Sequence, residues 1–320
     1  MRREKRGRGK RLLRLIVLIF TIFVVGYLLT QRSDSKKFIG FSNSPTPTPN
    51  NCPMQKEVSS NGLKNAVLSQ LQGNQGTYAV EIINLKTGES DYLNPNRVFG
   101  SASLYKLWVM AVVYQEVQEG KINENQILSD SYADLNKSFD IDTDEATKTS
   151  GTMTSSVKTA LYNMITISDN YSALLLTKKI GESSLSEFLT QNCFNQSKVG
   201  IRGRQPTTTA FDIGSFFQKL YNGQLANKKY TAEMIDLLQQ QRLTDKLPKY
   251  LPYGMQLSLA HKTGELDDFS HDAGIAYTPV GNYIIVVLSQ SNSQDLANER
   301  IANISKSVFD YFTATPSAAE

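Results

Sequence analysis

Several chemistries have little to stand on in this chain. Its 320 residues hold only two cysteines, Cys52 and Cys193. No metal-ligand spacing accompanies them, which argues against a zinc site. There is no phosphate-binding glycine motif. There is no G-x-S-x-G elbow of the kind that presents a nucleophile in one large group of Ser-His-Asp hydrolases. No internal repeat appears. The acidic stretch "DIDTDEA" (140–146) lacks a glycine at its sixth position, so it reads as an exposed loop and not as a calcium loop. Positive charge is also scarce outside one segment. Residues 1–32 carry nine of the 34 Lys and Arg and one of the 30 Asp and Glu, so the other 288 residues sum to −4. A slightly acidic body predicts no nucleic-acid partner. No cofactor is expected.

The local basic charge has its own reading. "MRREKRGRGKR" precedes "LLRLIVLIFTIFVVGYLLT", and the apolar run from Leu12 to Thr30 is 19 residues. A membrane span needs roughly 20. Arg14 lies at the end where a long side chain can snorkel, and seven Lys and Arg before Leu12 orient the N-terminus inside. A cleaved secretory signal would have a shorter apolar core and a small-residue cleavage site. "YLLTQRSDSKK" offers none. The expected order is therefore a cytoplasmic tail (1–11), a transmembrane anchor (12–30), a Ser/Thr/Pro-rich linker (31–53) and one extracytoplasmic domain (54–320). "SNSPTPTPNNCP" (42–53) is extended spacer by composition. Outside the cytoplasm Cys52 and Cys193 are either a disulfide or two separate thiols. The sequence leaves both open, because it cannot show Cα atoms within ~7 Å.

The domain begins with a short amphipathic helix in "EVSSNGLKNAVLSQLQG" and a hairpin in "TYAVEIINLKTGESDYLN". Its middle, roughly 103–245, is mostly helical, with apolar residues at helical spacing in "LWVMAVVYQEV", "VKTALYNMI", "YSALLLTKKI" and "IGSFFQKLY". It ends in strands, "QLSLAHKTG", "HDAGIAYTP" and "NYIIVVLSQ", and a helix, "ANERIANISKSVFDYF". First and last segments are expected to share one antiparallel sheet with a helical body between them, an α+β fold.

"KTGE" occurs twice. Lys86–Glu89 sits where a hairpin turn belongs and reads as structural. Lys262–Glu265 closes a strand, from whose edge side chains can reach a cleft. Two further stretches matter. Ser103 and Lys106 are three apart at a helix start, so they share a face. Free amides and the helix dipole favour an activated hydroxyl there, and a lysine with a lowered pKa can take its proton. Ser168-Asp169-Asn170 lies between two helical stretches, where a helix N-cap is the plain reading. A second hydroxyl could also relay a proton there, and the Asn amide could hold a substrate. Lys262 could bias the Ser168 hydroxyl and attract a carboxylate, which Thr263 could bind. Gly264 lets a backbone approach the strand. The N–H groups of Ser103 and Glu265 could form an oxyanion hole. His261 faces away from Lys262 and reads as structural. His271-Asp272 either lines the cleft or fixes the strand turn.

In combination these motifs are specific. S-x-x-K, then S-D-N, then K-T-G, in that order, is the signature of serine β-lactamases and penicillin-binding proteins. From about residue 58 to 313 the chain resembles the class A β-lactamase family, including "GTMTSSVKTALYNMITISDNYSALLL". The resemblance implies Ser103 as acylated nucleophile, Lys106 as proton acceptor and Ser168 as proton relay. It implies substrate contacts at Asn170, Lys262 and Thr263. The substrate is then a β-lactam or a D-Ala-D-Ala-like peptide, and the protein a monomer. One element departs from the family. Class A enzymes resolve the acyl-enzyme with a glutamate on a loop between S-D-N and K-T-G, yet "FLTQNCFNQSKVGIRGRQPTTTAF" (188–211) contains no Asp or Glu. Acylation with slow deacylation is expected, as in a penicillin-binding peptidase. A non-catalytic β-lactam sensor is the rival, against which the eleven residues before the apolar run argue. A degenerate structural domain would have lost at least one motif.

Overall fold

A computed structural model describes residues 61–73, 76–200, 204–255 and 258–314. The expected tail, anchor and linker (1–53) and Cys52 lie outside these residues. Among the described residues no helix is long and apolar enough to cross a membrane.

Helix α1 (Asn61–Gln70) leads into β1 (Thr77–Asn84) and β2 (Ser90–Leu93). The turn between these strands is the first KTGE. Asn84 Oδ1 accepts from the N–H groups of Lys86 and Thr87, and Gly88 supplies a φ of 74°. This is a side-chain-stabilised turn of the kind Asn and Gly favour, exposed and structural as expected.

Three strands near the C-terminal end follow much later: β7 (Leu259–Leu266), β8 (Phe269–Ala276) and β9 (Tyr283–Gln290). They join the first hairpin in one antiparallel sheet of order β2-β1-β9-β8-β7. The β1–β9 pairing runs from Thr77↔Gln290 to Asn84↔Tyr283 and closes the sheet. Expected and observed architecture agree. The strand that carries the second KTGE, β7, is one of the two edge strands of this sheet.

The sheet is buried on both faces. Val80, Ile82, Ile285 and Val287 pack with Leu63 of α1 and with Ile301, Ile304 and Val308 of the last helix, α9 (Gln294–Thr313). Ala79, Ile83, Ala273, Val286 and Leu288 face a larger core. That core holds α2 (Lys106–Gln118), α4 (Val157–Thr166), α5 (Asn170–Ile180), α6 (Glu182–Gln191), α7 (Ala210–Tyr221) and α8 (Lys228–Gln239). Short α3 (Tyr132–Ser138) completes the middle.

The middle is less purely helical than its periodicity suggests. A polar hairpin, β4 (Ile127–Ser131) with β5 (Thr152–Ser156), crosses it. Its strands read TMTSS and ILSDS and carry no alternating apolar face, so the signal for strands is absent. "DIDTDEA" lies between α3 and β5 as an exposed turn. Two-residue strands β3 (Phe99–Gly100) and β6 (Thr207–Thr208) pair beside the turn that carries Ser103.

Candidate functional site

Ser103 lies in a turn of 3-10 helix, Ala102–Tyr105, that runs directly into α2. The turn is entered through Ala102 at φ 44°, a left-handed conformation that costs an alanine free energy and marks a constrained position. Two contacts hold its entrance. Ser101 N–H donates to Pro206 O at 2.8 Å, and the β3–β6 pair stands next to it. Gly264 of β7 faces the turn from the sheet. A Cβ there would meet Ala102 Cβ, Leu104 Cγ and Ser101 O, each at 3.3 Å. The close approach that Gly264 permits is thus that of the turn carrying Ser103.

Ser168 has a φ of 58° between α4 and α5. Asp169 caps α5, its carboxylate accepting from Ser172 N–H at 2.7 Å. The plain capping reading of S-D-N is therefore correct for its aspartate. It does not exhaust the motif, because the cap turns Ser168 and Asn170 toward Lys106.

Lys106 is fully buried. Its Nζ donates to Ser168 O (2.6 Å) and Asn170 Oδ1 (2.7 Å) and lies 3.2 Å from Ser168 Oγ. Lys262, also fully buried, approaches the same hydroxyl from β7 at 3.0 Å and donates to Thr263 O at 2.8 Å. Ser168 Oγ is thus held between two amines. Ser103, half-buried, has no side-chain hydrogen bond among the described residues.

Burial brings the Lys106 ammonium down to about 7, against a smaller opposing pull from Asp169. Burial likewise depresses Lys262 well below the ordinary lysine value, and the charge of Lys106 adds to the effect. Neutral Lys106 keeps two N–H donors for its two shortest contacts. Its lone pair is then free to accept a hydroxyl proton.

The site residues named from the sequence fall into two groups by position. Lys106, Ser168, Asn170 and Lys262 are joined by hydrogen bonds, Ser103 lies three residues before Lys106 at the start of the same helical stretch, and Gly264 packs against the turn that carries it. Thr263 and Glu265 lie on the other pleat of β7. Thr263 is nearly buried, and the Glu265 carboxylate pairs with Lys246. His261 is structural, as expected: its Nδ1 is 2.9 Å from Asp272 Oδ1 in the interior. The choice left open for His271-Asp272 resolves away from the cleft. His271 is fully buried. Ser289 N–H donates to its Nδ1 at 3.1 Å, so the proton sits on Nε2 and is donated to Gly100 O at 2.8 Å. Burial lowers this imidazole to about 4, which keeps it neutral. His271 is a strut behind the strand that leads into the Ser103 turn.

The segment without acids is paired across its described ends. Lys198 and Thr207 pair across it through both backbone N–H groups. The first acid beyond it, Asp212, is buried. Its Oδ2 accepts from Gln196 N–H (3.0 Å) and Ser197 Oγ (2.8 Å), so this carboxylate serves the base of the loop. Cys193, just after α6, is disulfide-bonded. Among the described residues no group of three or more His, Cys, Asp or Glu is arranged to hold a metal.

Nothing in the sequence marks Lys246 or the strut role of His271. Lys246 follows Asp245 in a polar connection, and only tertiary contact buries it. The histidine was visible, but its partners, Gly100 and Ser289, are far away in the chain.

Residues 61–312 match the description "Beta-lactamase enzyme family". Among solved structures, a β-lactamase from Sphaerobacter thermophilus superposes with a TM-score of 0.70 at 21% identity, covering 81% of this chain and 100% of the other. PBP-A matches with a TM-score of 0.69 at 21% identity over 81% of this chain and 98% of its own. A mutant of PBP-A, solved as an acyl-enzyme complex with penicillin G, matches with 0.70 at 20% over 82% and 99%. At these identities the likeness speaks for the fold. A search of curated protein sequences finds no match.

Proposed function

The chain belongs to the beta-lactamase enzyme family, and we propose that it is an extracytoplasmic, membrane-anchored serine hydrolase that forms an acyl-enzyme on Ser103. One observation carries the reading. Ser168 Oγ is held between Lys106 Nζ and Lys262 Nζ at 3.2 and 3.0 Å, and Ser103, three residues before Lys106, makes no side-chain hydrogen bond among the described residues.

The steps follow from that geometry. Ser103 Oγ attacks the carbonyl carbon of a β-lactam or a D-Ala-D-Ala-like peptide and passes its proton to the lone pair of neutral Lys106. Charge developing on the carbonyl oxygen is met by the N–H groups of Ser103 and Glu265. The C–N bond breaks as Ser168 Oγ delivers its proton to the leaving nitrogen. Lys106 then returns the Ser103 proton to Ser168 along their 3.2 Å contact. Lys262 Nζ donates to Ser168 Oγ at 3.0 Å, which favours the oxygen as it loses its proton. Asn170 is anchored through Oδ1 and offers its NH2 group to the substrate. The balance is one proton moved from Ser103 to the leaving nitrogen and one ester formed for one amide broken.

Hydrolysis of that ester needs a base on a water. The loop that carries such a glutamate in class A enzymes has no acid here, and Asp212 is engaged with the loop backbone. Deacylation is therefore slow. This favours a penicillin-binding D,D-peptidase over an efficient β-lactamase as the second, closely related reading.

Intact-mass spectrometry of the full chain with excess penicillin, sampled over hours, tests both. The expected result is a one-to-one adduct that persists and is absent from Ser103→Ala. An adduct on Ser103→Ala would remove the nucleophile assignment. Rapid loss of the adduct with consumption of the excess would replace the slow-turnover reading with a true β-lactamase.

A further inference from the structure

Away from the residues gathered around Ser168, a cavity of about 480 Å3 opens between α6 and the segment that lacks acids. Its volume is that of a small-molecule site. None of Ser103, Lys106, Ser168, Asn170 or Lys262 is among its described lining residues.

One wall is α6, through Leu189 and Thr190. The other is a closed stem. Lys198 N–H donates to Thr207 O at 2.9 Å, and Thr207 N–H donates to Lys198 O at 3.0 Å. Gly200 packs so tightly on Pro206 that a Cβ there would stand 2.8 Å from the proline Cδ. Leu189 and Phe194 give the cavity an apolar floor, and Thr190 and Gln205 add neutral polar groups.

The charge on this cavity is one-sided. Lys198 and Arg204 both line it, both are exposed, and neither has an ion pair or a side-chain hydrogen bond among the described residues. No Asp or Glu is among the described lining residues. Other surface lysines are matched: Lys178, Lys249 and Lys306 each lie 2.5 Å from a carboxylate oxygen. The segment 188–211 carries three Lys and Arg and no acid, within a body whose charges sum to −4.

We propose that this cavity binds a phosphorylated sugar or polyol. A phosphate monoester carries up to two negative charges and three free oxygens, so it can meet the Arg204 fork and the Lys198 ammonium together, whereas one carboxylate is filled by the fork alone. The apolar floor suits the C–H face of a sugar ring. The Thr190 hydroxyl and the Gln205 amide each donate and accept, which suits sugar hydroxyls.

The inference does not rest on the acyl-transfer reading, because calorimetry records binding whether or not an adduct forms. The full chain is titrated with glucose 6-phosphate, and separately with glucose, inorganic phosphate and glucuronate. The same titrations are run on the Lys198→Ala, Arg204→Ala and Lys86→Ala variants, with circular dichroism as the check that each is folded. The expected result is saturable binding of glucose 6-phosphate, tighter than that of the other three compounds and weakened by salt. Lys198→Ala and Arg204→Ala should each raise its Kd about 10-fold, the equivalent of about 1.4 kcal/mol, and Lys86→Ala should leave it unchanged. No saturable binding of glucose 6-phosphate overturns the inference, as does equal weakening in all three variants or none in any. Inorganic phosphate or glucuronate binding as tightly as glucose 6-phosphate overturns the assignment of a phosphorylated sugar.

Discussion

Lys106 shows how position changes the ionisation of an ordinary residue. An exposed lysine is almost wholly charged at neutral pH and cannot accept a proton. Here burial brings the amine to about 7, so a large share is neutral at physiological pH. The base form lies on the alkaline side, so the rate of adduct formation should rise as pH increases through about 7 and then level. His271, lowered to about 4 by its own burial, stays neutral across that window and does not contribute to the profile. Lys106→Arg keeps a charge that cannot be shed. It should lose acylation by roughly 100-fold or more, the usual contribution of a positioned base. Stopped-flow or timed-mass acylation between pH 5 and 9 checks both statements. Lys262 belongs to the same electrostatic unit: burial, and then the charge of Lys106 beside it, push it toward the neutral form.

The contact between the 3-10 turn and β7 is where two elements fix the site. Gly264 is needed because Ala102, Leu104 and Ser101 already stand 3.3 Å from where its Cβ would be. Gly264→Ala should cost about 1–3 kcal/mol by overpacking, measured by urea unfolding. It should slow adduct formation as well, because the turn that retreats carries Ser103. The second sequence motif is therefore partly a packing motif. The K-T-G glycine is visible in the sequence, but the reason it must be glycine is a neighbour about 160 positions away. His271 works between the same elements, pinning Gly100 to the sheet from behind. The polar hairpin of β4 and β5 and the strut itself escape a reading by period or motif, because no run of apolar residues announces either.

Across the domain, one buried group is set against the fold's stability. Glu81 of β1 is fully buried in the core between the sheet and α7, and among the described residues neither carboxyl oxygen has a hydrogen-bond partner. Gly214 of α7 leaves it room: a Cβ there would lie 2.3 Å from Glu81 Oε2. Burial, and then the charge of Asp212, raise the Glu81 carboxyl well above the usual range. The group binds its proton more tightly folded than unfolded. Stability is therefore fully present below the unfolded carboxylate value of roughly 4.3 and falls as pH rises toward the folded one. Glu81→Leu should remove that loss. It should raise Tm by several degrees at pH 8 and by less at pH 5, read by thermal unfolding at both; a gain of about 1–2 kcal/mol corresponds to roughly 2–8 °C for a domain of this size. Equal gains at the two pH values would show that Glu81 is not the proton-linked group.

The sequence by itself determined the order S-x-x-K, S-D-N, K-T-G, the return of the last strands to the first hairpin, and the lack of an acid in the loop between 188 and 211. Each of these is written in residue type and spacing along the chain, so it can be read without coordinates. Only the tertiary structure decided the rest. It placed Ser168 Oγ between Lys106 and Lys262, turned His271 into a strut, and closed Lys246 under Glu265. Those facts depend on burial and on contacts between residues up to 171 positions apart. A side chain's ionisation and its partners are set by what surrounds it in space, and linear spacing carries no record of that.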